Sequence, residues 1–304
     1  MTGPSLSVVI ATKDRATFVE RCLLALSGQD ASIDEIIVVD QSADAGTREV
    51  CRAHEPRVRY VHDPGRGQSR GRNIGVGLAT GDLVACLDDD CYAHPDWARA
   101  VRDVLGRHPE AAGAFGEMLG GEGAPAGAAG LEVSTIRFPA EVVHRRRRPP
   151  YHVGFGGNFV LRRETWQTLG EPPCDEMLDP GSPNPGAGDM DLIHRLLRDG
   201  AILVSAPSMR ALHDQWRPTG ALLRQMRGYG RGTGAYLGKH IFGGDPYAVA
   251  LLVRQLAADA KLSASGLRRR SLFRVLAGGA RVVGLVHGLA RGPALARRRR
   301  GRTQ

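Results

Sequence analysis

The chain has 304 residues, of which 42% are hydrophobic and 24% are charged, an ordinary composition for a globular protein. Its net charge of +9 is uneven, because residues 251–304 hold 13 of the 41 lysines and arginines but one of the 32 acidic residues. The first 250 residues therefore carry a net charge of −3, so the basicity does not argue that the main domain binds nucleic acid, and we expect no specific nucleic-acid partner.

The five cysteines are widely spaced and form no CxxC pair. An odd number without paired spacing predicts neither a disulfide framework nor a zinc site and is typical of the reducing cytosol. No basic region followed by a long apolar stretch opens the chain, and no apolar run reaches the roughly 20 residues needed to cross a bilayer. We therefore expect a cytoplasmic protein, either free or peripheral on the inner face of the cell membrane.

The first 90 residues alternate short apolar runs with segments of helical periodicity. This β-α-β-α-β-α-β order is typical of a parallel sheet with right-handed crossovers. A glycine-rich, basic run at residues 65–73 is expected to form a loop before the third helix. The predicted strands are residues 6–11, 35–40, 58–61 and 83–87, and the predicted helices are residues 17–26, 44–54 and 74–79.

Three consecutive carboxylates, Asp88, Asp89 and Asp90, follow the fourth predicted strand. Because a buried unpaired carboxylate is very costly, these acids should emerge at the carboxyl end of the strand, where open α/β sheets bind ligands. Their hard oxygen ligands suit Mg²⁺ or Mn²⁺, ions that proteins often share with substrate phosphates. Taken alone, the three acids fit a solvated acidic turn equally well.

Polar residues also follow the other strands or their crossovers, among them Thr12, Asp40 and Arg72. Together with Asp88 they can converge on one crevice, where acids hold base and ribose groups and an arginine pairs with phosphate. Each residue alone has a simpler explanation in turn chemistry or helix capping.

The runs SVVIATKDR, EIIVVDQS, GQSRGRNIG and GDLVACLDDD resemble, in this order, the nucleotide-sugar half of a family 2 glycosyltransferase of the GT-A fold. The resemblance implies an α/β protein with a Rossmann-like, mostly parallel sheet flanked by helices. It implies Asp40 near the nucleobase with Thr12 beside it, Arg72 near the nucleotide, and Asp88 near the ribose. Asp90 would hold the metal, and Asp88 and Asp90 would form the Asp-x-Asp motif.

The same resemblance implies functional roles for residues in two later segments. Residues 153–163 are expected to form a strand with glycines on its approach, which allow a ligand close to the backbone or mark a bulge. In similar transferases this segment lines the sugar and acceptor site, which implies roles for Gly157 and Asn158. A strand at residues 201–205 is followed by a turn at Pro207, and beyond it His213 is implied as a further metal ligand, although a lone histidine is more often structural.

Acidic residues open an amphipathic helix in the run Gly188-Asp189-Met190-Asp191-Leu192. An N-cap or helix-dipole role is the commoner use of such an acid. Many similar enzymes read Gly-Glu-Asp-x-Asp/Glu-Leu here, which implies that Asp189 is the catalytic base and that Asp191 orients the helix. Gly188 departs from that pattern, because it stands where a glutamate is usual.

The character of the chain changes near residue 246, so we expect a GT-A domain over residues 1–245 and a helical extension over residues 246–304. Apolar residues at helical spacing alternate with arginines in this extension, a pattern typical of helices on an anionic membrane surface. The same helices could instead pack on the catalytic domain. The Arg297 to Arg300 cluster is expected to be disordered.

These features favour an inverting, metal-dependent hexosyltransferase that uses Mn²⁺ or Mg²⁺. Its partners would be a nucleotide-diphosphate sugar, with UDP favoured, and a glycan, lipid-linked or small-molecule acceptor; inversion is implied by the resemblance alone. Two alternatives stay open: a sugar-phosphate nucleotidyltransferase, and a non-catalytic binding module at a membrane surface. No P-loop or GxGxxG sequence follows the first strand.

Overall fold

A computed structural model describes residues 3–120, 135–214 and 219–300, apart from the side chains of Thr219, Arg299 and Arg300. These residues form two compact units. The first holds residues 3–120, 135–175 and 192–214, and the second holds residues 176–191 and 219–300. The expected division into a domain of residues 1–245 and an extension of residues 246–304 stays a prediction.

The first unit is built on a sheet in the strand order β3-β2-β1-β4-β8-β6-β9-β5, with β7 also paired to β9. β1 to β4 pair in parallel, whereas β8 runs antiparallel to both β4 and β6, so the sheet is mixed where the sequence predicted a mostly parallel one. The strands are β1 (Leu6–Thr12), β2 (Glu35–Asp40), β3 (Val58–His62), β4 (Leu83–Leu87), β5 (Cys91–Ala93), β6 (Gly113–Gly120), β7 (Val142–His144), β8 (Asn158–Arg162) and β9 (Leu203–His213).

The central strands β1 and β4 are buried along almost their whole length and mostly apolar, as expected for strands covered on both faces. Helix α4 buries Trp97, Val101 and Val104 at helical spacing, and their burial anchors it in the same core. The helices of this part of the chain are α1 (Ala16–Ser27), α2 (Gly46–Arg52), α3 (Gln68–Leu78), α4 (Trp97–Arg107), α5 (Arg163–Thr168) and α6 (Gly188–Arg198), with a 3₁₀ turn at Pro150–His152.

Helix α3 begins earlier than predicted, so most of the run expected to be a loop is helical. Gly67 has φ of 120°, which turns the chain sharply just before the helix. A side chain at Gly71 would collide with Ala11, and one at Gly75 with Val9. The glycines therefore let the helix backbone lie directly against β1.

The last strands also differ from expectation. β8 spans Asn158–Arg162, because residues 153–157 of the predicted strand form turns and irregular backbone after a 3₁₀ turn at Pro150–His152. β9 continues through Pro207 to His213, and its register against β6 shifts between Gly116 and Glu117. A proline has no N–H to donate to the ladder, so it is tolerated where the pairing is interrupted.

The second unit is helical and has its own apolar core around Leu178, Ala235, Leu237 and Leu251. Glycines bring its two most extensively packed helices, α7 and α9, into backbone contact, since side chains at Gly230, Gly234, Gly284 and Gly288 would collide with main-chain atoms of the facing helix. We call these four glycines the glycine seam. The helices are α7 (Thr219–Phe242), α8 (Pro246–Arg268), α9 (Leu272–Leu289) and α10 (Gly292–Arg300).

Two further findings concern these helices. The Arg297 to Arg300 cluster, for which the sequence predicted disorder, belongs to α10 in the structure. Within the described residues α9 alone has the length and apolar composition of a membrane-crossing helix, which corrects the expectation that no such run exists; 28% of it is buried. Length and composition alone are weak evidence for a membrane span, since α9 also packs against α7 and α8.

Candidate active site

The carboxyl ends of β1, β2 and β4 lie next to one another, because these strands pair in parallel. Thr12 is the register partner of Asp40 at the ends of β1 and β2, and the three aspartates follow directly after β4. This edge of a parallel arrangement is where α/β sheets bind ligands. The structure thus brings together the strand-end residues that the sequence selected.

Asp88 is joined to helix α3. Its Oδ1 accepts hydrogen bonds from Nη2 of Arg72 and from Nε2 of Gln68, each at 2.7 Å. Arg72 is buried and also donates to the carbonyl oxygen of Gly156 at 2.7 Å, which fixes its guanidinium in place. Burial raises the pKa of Asp88, and the positive charge of Arg72 opposes that rise.

Asp89 faces β1 and the loop after it. Its Oδ2 accepts a hydrogen bond from Oγ1 of Thr12 at 2.7 Å, and its Oδ1 lies 2.9 Å from Nη1 of Arg15. Burial raises the pKa of Asp89 to about 7, although Arg15 and the Thr12 hydroxyl both lower it. Thr12 therefore contacts the acidic cluster, and its role beside the nucleobase stays a prediction.

Asp90 is buried and pairs with Nη2 of Arg15 at 2.7 Å. Its Oδ1 lies 3.5 Å from Nε2 of His213, which is also buried. The approach follows from strand pairing, because Cys91 is the register partner of His213 between β5 and β9. Two residues singled out in distant parts of the sequence thus meet.

The donor set tests whether this corner fits a divalent cation. Ligand atoms of Asp90, Cys91 and His213 lie within 4.8 Å of one another, and all three residues are buried. Carboxylate oxygen and neutral imidazole are both compatible with Mn²⁺. Burial raises the pKa of the Cys91 thiol well above its usual value, so we leave Cys91 out of the ligand set. Asp90 and His213 fit a hard or borderline divalent cation.

Asp40 is fully buried at the end of β2. Its Oδ1 accepts from the backbone N–H of Ser42 at 2.9 Å and from the Ser42 hydroxyl, and its Oδ2 accepts from the hydroxyl of Tyr60 at 2.9 Å. These bonds occupy both oxygens of the carboxylate and hold it in a fixed orientation. The role of Asp40 at the nucleobase stays a prediction.

Gly157 and Asn158 lie at the start of β8, beside the acidic cluster. The carbonyl oxygen of Gly157 accepts a hydrogen bond from the backbone N–H of Asp88 at 3.1 Å, and a side chain at 157 would press on Asp88 and Met118. Only glycine permits this close approach without displacing a neighbour.

The amide of Asn158 is fully buried and bonded at both ends. Its Oδ1 accepts from Nε1 of Trp97 at 2.9 Å, and its Nδ2 donates to the carbonyl oxygens of Glu117 and Met209 at 2.9 and 2.8 Å. These bonds join α4, β6, β8 and β9. We assign Asn158 this structural role in place of the expected sugar contact, because its side chain has no exposed surface.

Asp189 lies in the second unit, on the first turn of α6, and is half-buried. Its Oδ1 accepts a hydrogen bond from the backbone N–H of Met190 at 2.8 Å. The preceding residue explains the departure from the glutamate pattern: a side chain at Gly188 would collide with the buried carboxylate of Asp179. Asp179 also accepts a hydrogen bond from the backbone N–H of Gly188 at 2.9 Å.

Asp191 fixes the same turn to α7 within the second unit. Its fully buried carboxylate accepts hydrogen bonds from Nζ of Lys239 and Nε2 of His240, both at 2.8 Å. Burying three ionisable groups is tolerable only when they are paired and bonded. The contact is consistent with the orienting role expected for Asp191 and names its partners.

Sequence reasoning missed Arg15 and Gln68. Arg15 bridges Asp89 and Asp90 and also lies over the ring of Phe18 at 4.2 Å, while Gln68 reaches Asp88 from the first turn of α3. A signal for Arg15 was available, because three adjacent carboxylates need neighbouring positive charge. Gln68 could be found only once the true start of α3 was known.

The mixed sheet flanked by helices belongs to the GT-A class of folds. Two solved structures share the fold. The mannosyltransferase PcManGT from Pyrobaculum calidifontis, in complex with GDP-Man and Mn²⁺, has a TM-score of 0.58 and 17% identity, covering 94% of this chain and 88% of that one. Residues 1–349 of S. aureus TarS in complex with UDP have a TM-score of 0.55 and 16% identity, covering 98% and 91%.

The sequence gives the family: the chain belongs to glycosyl transferase family 2, whose pattern matches residues 7–169. Glycosyltransferase AglE of Haloferax volcanii is 32% identical over 112 residues, which is 34% of this chain and 37% of AglE. The validoxylamine A glucosyltransferase of Streptomyces hygroscopicus subsp. jinggangensis is 36% identical over 104 residues, 32% of this chain and 25% of that protein. The similarity to these relatives thus spans well under half of their length.

Proposed function

We propose that this protein transfers a hexose from a nucleotide-diphosphate sugar, with UDP favoured, to an acceptor hydroxyl, with inversion at the anomeric carbon. The observation that carries the proposal is the cluster of three aspartates directly after β4, at the edge where β1 and β2 also end, bound by Arg15 and Arg72. Family membership and the likeness to solved glycosyltransferases support it.

In this proposal Thr12 and Asp40 lie beside the base, Asp88 binds the ribose and Arg72 contacts the nucleotide. Arg72 is preset for this role by its bonds to Asp88 and to the Gly156 carbonyl. Gly157 permits close approach of the donor to the backbone. Asp90 and His213 would hold Mn²⁺ or Mg²⁺, which when bound supplies positive charge for the leaving diphosphate.

Asp189 acts as the general base in this proposal and takes the proton of the attacking acceptor hydroxyl. Its half-buried position on a turn held by Asp179 and Asp191 supports the assignment, because a base needs both access and a fixed orientation. A single displacement at the anomeric carbon inverts its configuration. A glycan, a lipid-linked sugar or a small molecule can supply the hydroxyl, and we propose a cytoplasmic location, at the inner membrane face where the acceptor is lipid-linked.

The experiment is a thermal-shift and turnover screen of UDP-, GDP- and dTDP-sugars, each with and without Mn²⁺. We expect one donor to raise the melting temperature, and hydrolysis or transfer that releases the nucleoside diphosphate. The Mn²⁺ effect should disappear in Asp90→Asn. No response to any nucleotide sugar would refute the proposal, and pyrophosphate release from a nucleoside triphosphate would instead identify a nucleotidyltransferase.

A further inference from the structure

Helix α8 exposes an apolar face. Val249, Val253, Leu256 and Leu267 recur at spacings that place them on one side of the helix, and Val253 is 62% exposed. Ala260 and Ala264 continue the same exposed side between Leu256 and Leu267. An uninterrupted apolar stripe of this length is uncommon on a helix that faces water.

Helix α9 has a matching stripe formed by Leu272, Leu276, Val283 and Val286, all of them exposed. The two helices form an antiparallel hairpin, because Gly266 lies against Val275 while Gly278 lies against Ser263. We call α8, α9 and the turn between them the basic hairpin. Leu267 and Leu272 flank its turn, and at 72% and 70% they are the most exposed large hydrophobic residues among those described.

The positive charge of the basic hairpin lies beside these apolar residues. Arg268, Arg269 and Arg270 are exposed and occupy the turn between the two leucines. Lys261 and Arg254 lie seven and fourteen residues before Arg268 on α8 and are also exposed. Residues seven apart lie on nearly the same side of a helix, so these cations form a row along the apolar stripe.

Negative charge is almost absent from this part of the chain. Asp259 is the single acidic residue of α8, α9 and α10. It is buried, and its Oδ1 accepts a hydrogen bond from Nε of Arg281 at 2.7 Å and from Gln255 at 2.9 Å. The exposed surface of the described hairpin therefore combines apolar side chains with cations and carries no exposed acidic side chain.

We propose that the basic hairpin docks this protein on an anionic membrane surface, with Leu267 and Leu272 inserted among the acyl chains and the arginines on the headgroups. Exposed apolar residues beside cations are what an interfacial helix needs, since apolar burial and attraction to anionic lipid act together. A second copy of the chain fits poorly, because it would bring two rows of like charge together.

A spanning arrangement of α9 also fits poorly. Arg281 lies in the middle of α9 and is paired with Asp259 of α8, and the glycine seam holds α9 on α7. Moving α9 across a bilayer would break both contacts and expose an arginine to hydrocarbon. The proposal depends only on the surface of the hairpin, so it goes beyond the transfer reaction and survives if that reaction is wrong.

The test is co-sedimentation of the full chain with vesicles of phosphatidylcholine alone and of phosphatidylcholine mixed with phosphatidylglycerol. We expect binding to the mixed vesicles, and release at about 1 M salt, where the Debye length falls to about 3 Å. Leu267→Ser combined with Leu272→Ser should weaken binding about tenfold or more. Replacing Arg254, Arg268 and Arg269 by serine should weaken it about fivefold per residue.

A matched control removes the same charge elsewhere: Arg52→Ser, Arg57→Ser and Arg59→Ser change three exposed arginines of the first unit. This variant should bind as the wild type does. Equal binding to neutral and anionic vesicles, or equal losses in the hairpin and control variants, would overturn the proposal. So would resistance to alkaline extraction, which indicates a spanning helix, or self-association that is abolished by the leucine changes without any vesicle binding.

Discussion

The two compact units handle buried charge differently. In the first, carboxylates at the strand ends are shared: Arg15 bridges Asp89 and Asp90, while Arg72 and Gln68 both bind Asp88. In the second, a buried acid links one pair of segments: Asp191 binds a side chain of α7, and Asp259 binds a side chain of α9. A carboxylate in a network of partners can replace one of them by a ligand, whereas an isolated buried ion pair is suited to holding helices in place.

The largest expected effect is at Asp189, the proposed general base. Asp189→Asn keeps the side chain's shape but removes the base, so turnover should fall by about 10²–10⁴-fold while donor binding is retained. Turnover and a donor thermal shift are measured together. Asp199→Asn, an exposed carboxylate just beyond the other end of α6, is the control. Wild-type turnover in the Asp189 variant would remove it from the mechanism.

Breaking the buried ion pair between Asp191 and α7 should lower the stability of the fold. Asp191→Leu leaves Lys239 and His240 buried without their carboxylate, which should lower the free energy of unfolding by about 3–5 kcal/mol. Urea denaturation measures the change. Adding Lys239→Met and His240→Leu should restore most of the loss, since a well-packed apolar cluster is often as stable as a buried ion pair. Unchanged stability in the single variant would show that the contact of Asp191 with Lys239 and His240 does not stabilise the fold.

The family pattern and the structure disagree on Gly188→Glu. The pattern predicts a harmless change, but Asp179 already occupies the space beside Gly188. We expect a loss of about 1–3 kcal/mol, as is usual for overpacking a buried site. Combining it with Asp179→Ala should recover part of that loss, whereas Asp179→Ala alone should destabilise by removing the bond to the Gly188 N–H. A neutral single variant, measured by urea denaturation, would contradict the placement of Asp179.

A smaller, pH-dependent effect is expected at Asp63. Arg70 donates two hydrogen bonds to its carboxylate, at 2.8 and 2.9 Å, and lowers its pKa. A carboxyl with a lowered pKa in the folded state stabilises above its unfolded pKa of about 3.9 and loses that contribution as the pH falls further. Arg70→Met should therefore cost about 1–2 kcal/mol at pH 7, and the cost should shrink as the pH falls through the lowered pKa of Asp63. A pH-independent difference would contradict this.

The smallest effect should come from exposed pairs. Arg99 and Asp30 form an ion pair on the surface of the first unit, with both side chains in solvent. Arg99→Ala should change the free energy of unfolding by less than about 0.5 kcal/mol, because solvent screens such pairs. A loss above 1 kcal/mol would show that surface charge in this unit matters more than its exposure indicates.

Much of the first unit could be predicted from sequence, because parallel strands reveal themselves as apolar runs and their carboxyl ends meet at one edge. Asp88, Asp90 and Thr12 were found in this way, and the β2 bounds agree residue for residue. The role of Asn158 could not be foreseen, since its partners lie on three other elements. Pro207 suggested that the strand ends near residue 205, although β9 continues to His213. The glycines of residues 65–73 suggested a loop, although α3 begins at Gln68.

The second unit was less predictable for a physical reason. Its helices were visible as apolar periodicity, but the partners of Asp191 lie 48 and 49 residues further along the chain, and nothing local marks Lys239 or His240 as buried. Asp179 was overlooked for a similar reason. Asp179 occupies the space that a side chain at position 188 would need, and a glycine in a sequence does not show which residue lies beside it.

The glycine seam has a consequence for how this chain can change over time. At Gly234 and Gly288 the facing atoms are main-chain atoms, which cannot rotate aside as a side chain can. Even a single methyl group there would push α7 and α9 apart along their length. Even a change from glycine to alanine is therefore unfavourable at these positions. A larger residue requires compensating changes in both helices.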